Sequence, residues 1–126
     1  MCNIFYESWQ IQCCGEPFRL GQKIRWTCKQ KEKPHNIWGN KIDYFEEHHI
    51  GVQYHITGKV VRILSVISTS SQHLKCYEFD ESKVELHSLS EANGFESERE
   101  DTTDTHFIFL GYIVTLKDVE IAFFCA

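Results

Sequence analysis

From Val52 onward, apolar and polar residues alternate with no break long enough for a turn. Val52, Tyr54 and Ile56 fall on one side and Gln53, His55 and Thr57 on the other, and the run continues through Gly58-Lys59-Val60-Val61-Arg62-Ile63-Leu64. A period of two over such a length predicts one long strand. Glycine inside a strand marks a bulge or a tight bend, so Gly58 is expected to let this strand serve two sides of a small barrel. That single requirement excludes most all-helical and parallel α/β architectures.

Other segments fit the same picture. Gln22 to Lys29 places Ile24, Trp26 and Cys28 on one face and Lys23, Arg25, Thr27 and Lys29 on the other, which predicts a half-buried strand. Ile4 to Gln12 reads as an earlier strand, separated from it by the turn residues Gly15, Pro17 and Gly21. Ser68 to Gln72 is polar and closes a hairpin onto a strand from Leu74 to Phe79, with a weaker strand from Val84 to His87. Phe107 to Val114 is apolar on both faces, the mark of a central strand. One helix is predicted, Lys41 to His49, with Asn40 as its N-cap, Asp43 three residues on as in a variant capping box, and Gly51 at its end. The expected fold is therefore mainly β, a small, partly open β-barrel of OB-like or SH3-like type with one short helix. A two-layer α+β sandwich is the alternative.

The chain has 126 residues, enough for a single domain over 1–126 that buries a core without metal or disulfides. Hydrophobic residues make up 42% and charged residues 25%, which excludes a disordered or membrane-spanning composition. The longest apolar run is far below the roughly 18 to 20 residues of a membrane helix. No basic segment followed by an apolar stretch opens the sequence, so the expected home is cytoplasmic, where the six cysteines are thiols and not bridges. Charge is unevenly placed: Glu91 to Asp104 holds six acids and one base, whereas Arg19 to Lys41 holds seven bases and one acid. The acidic stretch, about 90–105, is expected as a surface excursion.

Two doublets carry the candidate chemistry. Cys13-Cys14 and His48-His49 supply thiolate and imidazole, the ligand types zinc prefers, in the number a tetrahedral site needs. Adjacent ligands are not a usual zinc spacing, because neighbours in extended chain face opposite ways. Buried or exposed thiols and helix-end histidines are the structural alternative. The same residues permit a thiol nucleophile activated by imidazole, although no Asn or Asp motif completes such a set.

Trp26 and Trp38 within the basic stretch raise the question of nucleic acid. The alternation that puts Trp26 with Ile24 and Cys28 assigns it to the core, and the net charge of −5 disfavours a polyanion. Trp9, Phe18 and Trp38 remain as candidate ligand-binding side chains, and Cys125 is either buried or part of a homodimer contact.

The run Trp9-Gln10-Ile11-Gln12-Cys13-Cys14-Gly15-Glu16-Pro17-Phe18, followed by Gly21 and Trp26 and then by Glu46-Glu47-His48-His49, resembles a family of small bacterial proteins known as a domain of unknown function. The similarity covers most of the chain, and its specific part is the Cys-Cys-Gly-x-Pro-Phe segment together with Glu-Glu-His-His. It implies a bacterial, cytoplasmic protein and carries no reaction or substrate. The sequence thus reads as a non-enzymatic binding or interaction module for a protein or small molecule, with a zinc site at Cys13, Cys14, His48 and His49. Two alternatives stand beside it: a zinc- or thiol-dependent enzyme built on those residues, and a stoichiometric inhibitor or immunity-type protein whose acidic face from Glu91 to Asp104 meets a basic partner.

Overall fold

In chain order the elements are β1 (Cys2–Glu7), α1 (Ser8–Cys14), β2 (Phe18–Arg19), β3 (Lys23–Lys29), β4 (His35–Ile37), β5 (Asn40–Ile42), β6 (Tyr44–Glu46), β7 (Val52–Ser68), β8 (Val84–Leu89), β9 (Glu91–Ala92) and β10 (Ile108–Cys125). They are seen in a computed structural model that describes residues 1–30, 35–37, 39–47, 52–68, 84–94 and 108–125.

Five strands close in a ring, β10-β1-β6-β3-β7 and back to β10, with β8 added outside on β7. The closure rests on the antiparallel pairing of β7 with β10, which runs from Ile108 opposite Ser68 to Cys125 opposite Val52. Three register shifts interrupt it, between Phe109 and Gly111, between Thr115 and Leu116, and between Lys117 and Glu120. Each extra residue bends its strand and increases the local twist. Gly58 sits where it was expected to matter, opposite the last of these bulges. The bulge contains Asp118, held at φ 52°.

Alternation sorts the side chains into two cores. Ile4, Tyr6, Ile24, Cys28, Ile56, Val60, Tyr112, Val114 and Leu116 fill the ring. The residues between them, Phe5, Phe45, Leu64, Val66 and Ile113, form a second cluster with Ile42 on the outer side. β10 is apolar on both faces because it contributes to both clusters, as its sequence required.

Two elements differ from expectation. Residues 41–47 are not helical: β5 pairs with β4 as a hairpin, and β6 runs parallel to β1, with Ile4 opposite Tyr44 and Phe5 opposite Phe45. Asp43, which resembled a capping residue, instead accepts the Asn3 N–H at 2.9 Å through its side chain and donates its own N–H to the Asn3 carbonyl at 2.9 Å. Tyr44 packs on the inner core and Phe45 on the outer one, a period of two that overrides the weak helical signal. Conversely, the strand expected over Ile4 to Gln12 ends at Glu7, and the short helix is α1. Its last turn is closed by the Gly15 N–H, which donates to the Ile11 carbonyl at 3.0 Å. Ile11 anchors it to the inner core. The Gln12 side chain donates to the Gly94 carbonyl at 2.8 Å, and the Gly94 N–H donates to the Tyr112 hydroxyl at 2.9 Å. These bonds tie α1 to the start of the acidic stretch, where Ala92 is buried and β9 pairs with β2. The expected strand over Leu74–Phe79 and the acidic residues Glu96 to Asp104 lie outside the described residues.

Gly111 is the tightest crossing in the ring. It has φ 154°, and a β-carbon there would run into the Tyr6 carbonyl oxygen and approach the Phe5 ring at 3.1 Å. Gly111→Ala is expected to destabilise the protein by about 2–3 kcal/mol, because backbone must shift at the Glu7 end of the β1–β10 pairing. Urea unfolding with an unchanged m value measures this, and a midpoint equal to that of the parent would contradict the packing described.

Candidate functional site

The ring has a narrow seam at β6. That strand of three residues holds β1 through two register pairs and β3 through two more, Cys28 opposite Glu46 and Lys29 opposite Phe45. Beyond the last bond, from the Glu47 N–H to the Thr27 carbonyl at 2.9 Å, the edge of β3 over Ile24 to Trp26 has no strand beside it among the described residues. The opposite edge is fully paired with β7, from Lys23 opposite Lys59 to Cys28 opposite Tyr54. The corner Gly15-Glu16-Pro17-Phe18 lies beside the open edge and, with Tyr6, Trp26 and Glu46, borders a half-open cavity of about 350 Å³. This is within the roughly 300–1,000 Å³ of small-ligand sites. A broader, shallower trough of about 610 Å³ lies on the other side of Phe18, between Arg19 and Glu91.

Aromatic rings form the cavity wall. Tyr6 and Phe18 each meet Trp26 edge to face at 4.9 Å, and Phe18 meets Tyr112 edge to face at 5.6 Å. Such pairs add about 0.5–1.5 kcal/mol each beyond area burial, so the wall is rigid. Gly15 closes one side so tightly that a β-carbon on it would stand 2.6 Å from the Tyr6 hydroxyl. Glu16, Gln22, Arg25, Thr27 and Glu46 supply the polar part of the lining, and of these Glu46 is the buried one, with 5% of its surface exposed. A carboxylate is a hydrogen-bond acceptor, and one that shares a cavity with aromatic rings is suited to a cation or N–H donor.

The described thiols serve packing. Burial first, then Glu46 and Cys2, push the Cys28 thiol far up. Burial, and secondarily Asp43, push Cys2 from 9.0 to about 11. Burial first, then Cys2, Tyr54, Asp43 and Cys28, also raise the Tyr44 hydroxyl. A thiol held protonated in this way is a poor nucleophile at neutral pH. Among the described residues no group of three or more His, Cys, Asp and Glu side chains is arranged to hold a metal ion.

The residues singled out from sequence are placed as follows. Cys13 and Cys14 end α1, Trp9 lies within it, and Phe18 lines the cavity. His48, His49 and Trp38 lie outside the described residues. The two motif segments nevertheless converge: Gly15, directly after the thiol doublet, and Glu46, two residues before the imidazole doublet, line one cavity. Glu46 itself was missed, since in sequence it looks like one more surface acid beside Glu47. Its signal was the register, because a strand that places Tyr44 on the inner core also turns Glu46 inward. Trp26 was assigned to the core, and both it and Tyr6 belong to the inner core and the cavity wall at once.

Among the described residues no helix is long and apolar enough to cross a membrane. The chain belongs to a family of unknown function, DUF6578, which matches residues 1–118. Comparison with curated proteins and with solved structures gives no match.

The raised thiols set a pH window. The folded state keeps Cys2 protonated to about 11 while the unfolded chain ionises from about 9, so stability is complete below pH 9 and falls as pH rises through that interval. Thermal melts of the parent are expected to lose stability between pH 9 and 11 more steeply than those of Cys2→Ala. Parallel slopes would contradict the burial of that thiol.

Proposed function

We propose that the chain is a non-enzymatic binding module that holds a small ammonium or N–H-donor ligand in the seam cavity. The observation that carries this reading is the buried Glu46 carboxylate at a cavity walled by Tyr6, Phe18 and Trp26. Aromatic faces attract a cation within about 6 Å, and a desolvated carboxylate adds a charge-assisted hydrogen bond. The same rigid wall lowers the ordering cost of binding, since few rotamers remain to be frozen. A reducing, cytoplasmic setting in a bacterial cell agrees with the two buried free thiols.

NMR titration with small primary and quaternary ammonium compounds, and with carboxylates of matched size as controls, tests the proposal. The ammonium series is expected to shift the Trp26 indole and the Gly15 amide, and Glu46→Gln is expected to weaken binding roughly tenfold or more while the fold remains intact. Equal binding of the carboxylates, or shifts confined to another face, would refute it.

A structural zinc ion held by Cys13, Cys14, His48 and His49 is the second reading. It is favoured by the convergence of Gly15 and Glu46 on one cavity, which brings both segments to the same end of the ring. Metal analysis of purified native protein is expected to give near-stoichiometric zinc that is lost in Cys13→Ser and in His49→Ala. Zinc-free, fully reduced protein that is folded removes this reading and leaves the cavity proposal standing.

A further inference from the structure

The outer face of the ring carries a second feature, independent of the cavity. Cross-strand register sets Lys23 of β3 opposite Lys59 of β7, and Lys59 opposite Lys117 of β10. All three are exposed. Neighbouring strands lie about 4.8 Å apart, so three ammonium-bearing side chains rise from a line roughly 10 Å long across the sheet. Like charges directly opposite one another destabilise a sheet. Among the described residues none of the three lysines forms an ion pair.

The neighbouring row shows how the same face looks when charge is balanced. There Arg25 is opposite Thr57 and Thr57 opposite Glu120, one base and one acid separated by a neutral residue. The bulge at Asp118 and Val119 produces this second register: without the extra residue Glu120 would stand opposite Ile56, and with it Glu120 is in line with Thr57 and Arg25. The lysine row is thus a local positive field on a chain whose net charge is −5.

We infer that the Lys23–Lys59–Lys117 row docks an acidic segment of a protein partner, one that presents two or three carboxylates at about the spacing of the lysines. Two observations select carboxylates on a short segment over nucleic acid. The row beside it on this face, Arg25, Thr57 and Glu120, has no aromatic ring on which a base stacks. A long polyanion also meets the repulsion of the whole chain, whereas a short acidic segment senses mainly charges within a Debye length of about 8 Å. The ammonium groups repel one another until a partner's carboxylates neutralise them, so docking relieves a cost the free protein carries.

The test is NMR titration of the full chain at low salt with a synthetic oligoglutamate peptide, with an oligothymidylate in parallel. The peptide is expected to shift the amides of Lys23, Lys59 and Lys117, with an affinity that falls as salt is raised. The variant combining Lys23→Thr, Lys59→Thr and Lys117→Thr is expected to bind roughly tenfold more weakly. Its melting temperature is expected to equal or exceed that of the parent, since like-charge repulsion has been removed. The single variant Lys59→Thr, at the middle of the row, should share both effects in smaller measure. Absence of peptide binding, shifts on another face, unchanged affinity in the triple variant, or tighter binding of the oligothymidylate at the row would each overturn the inference.

Discussion

The pairing of β7 with β10 is the constraint from which the rest of the molecule follows. Each strand is long enough to border two sides of the ring, and each changes its other neighbour along its length. β7 carries β3 over its first half and β8 over its second, while β10 carries β1 only as far as Leu116. Two of the register shifts fall at this changeover, between Thr115 and Leu116 and between Lys117 and Glu120. Bulges supply the extra twist that a pair of strands needs to curl onto itself, so the same irregularities that interrupt the ladder close the ring. Past Leu116 the β10 edge has no strand beside it among the described residues, and Ile121 and Phe123 on that stretch are exposed.

Closure by two long strands leaves the short β6 to complete the circle. Three residues cannot span the distance that β7 and β10 span, and the ring consequently gapes between β6 and β3. The gap is where the chain places its aromatic wall, the Gly15–Phe18 corner and the buried carboxylate of Glu46. Trp26 and Glu46 reach this site from sheet strands, and Gly15 to Pro17 reach it from the corner that follows α1. The lysine row lies elsewhere, on the outer face, and depends on register alone.

The long elements were legible in the sequence for a simple reason. β3, β7, β8 and the first half of β10 are sustained patterns whose burial matches their period, and the strand glycine at 58 announced a bend. The short elements were not legible. In α1, seven residues span two turns, and Ile11 and Gln12 followed by a cysteine pair look like the continuation of β1. In β6, Asp43 could cap a helix or bind a neighbouring strand, and a contact forty residues away in sequence decided the outcome. The candidate site was half visible. The corner after Cys14 and the segment containing Glu46 were both singled out for their doublets, yet the inward turn of Glu46 followed from pairing that no local pattern reveals. Lys23, Lys59 and Lys117 are separated in sequence and become neighbours only through strand register.

The central claim is that the cysteine-following corner and the Glu46 strand meet across one aromatic-walled seam. A NOESY spectrum of the native protein tests this most directly. The account predicts cross-peaks from the Gly15 α-protons to the Tyr6 ring and from the Trp26 indole to the Phe18 and Tyr6 rings. A well-dispersed spectrum in which Gly15 contacts no ring proton and Trp26 lies apart from both would contradict it.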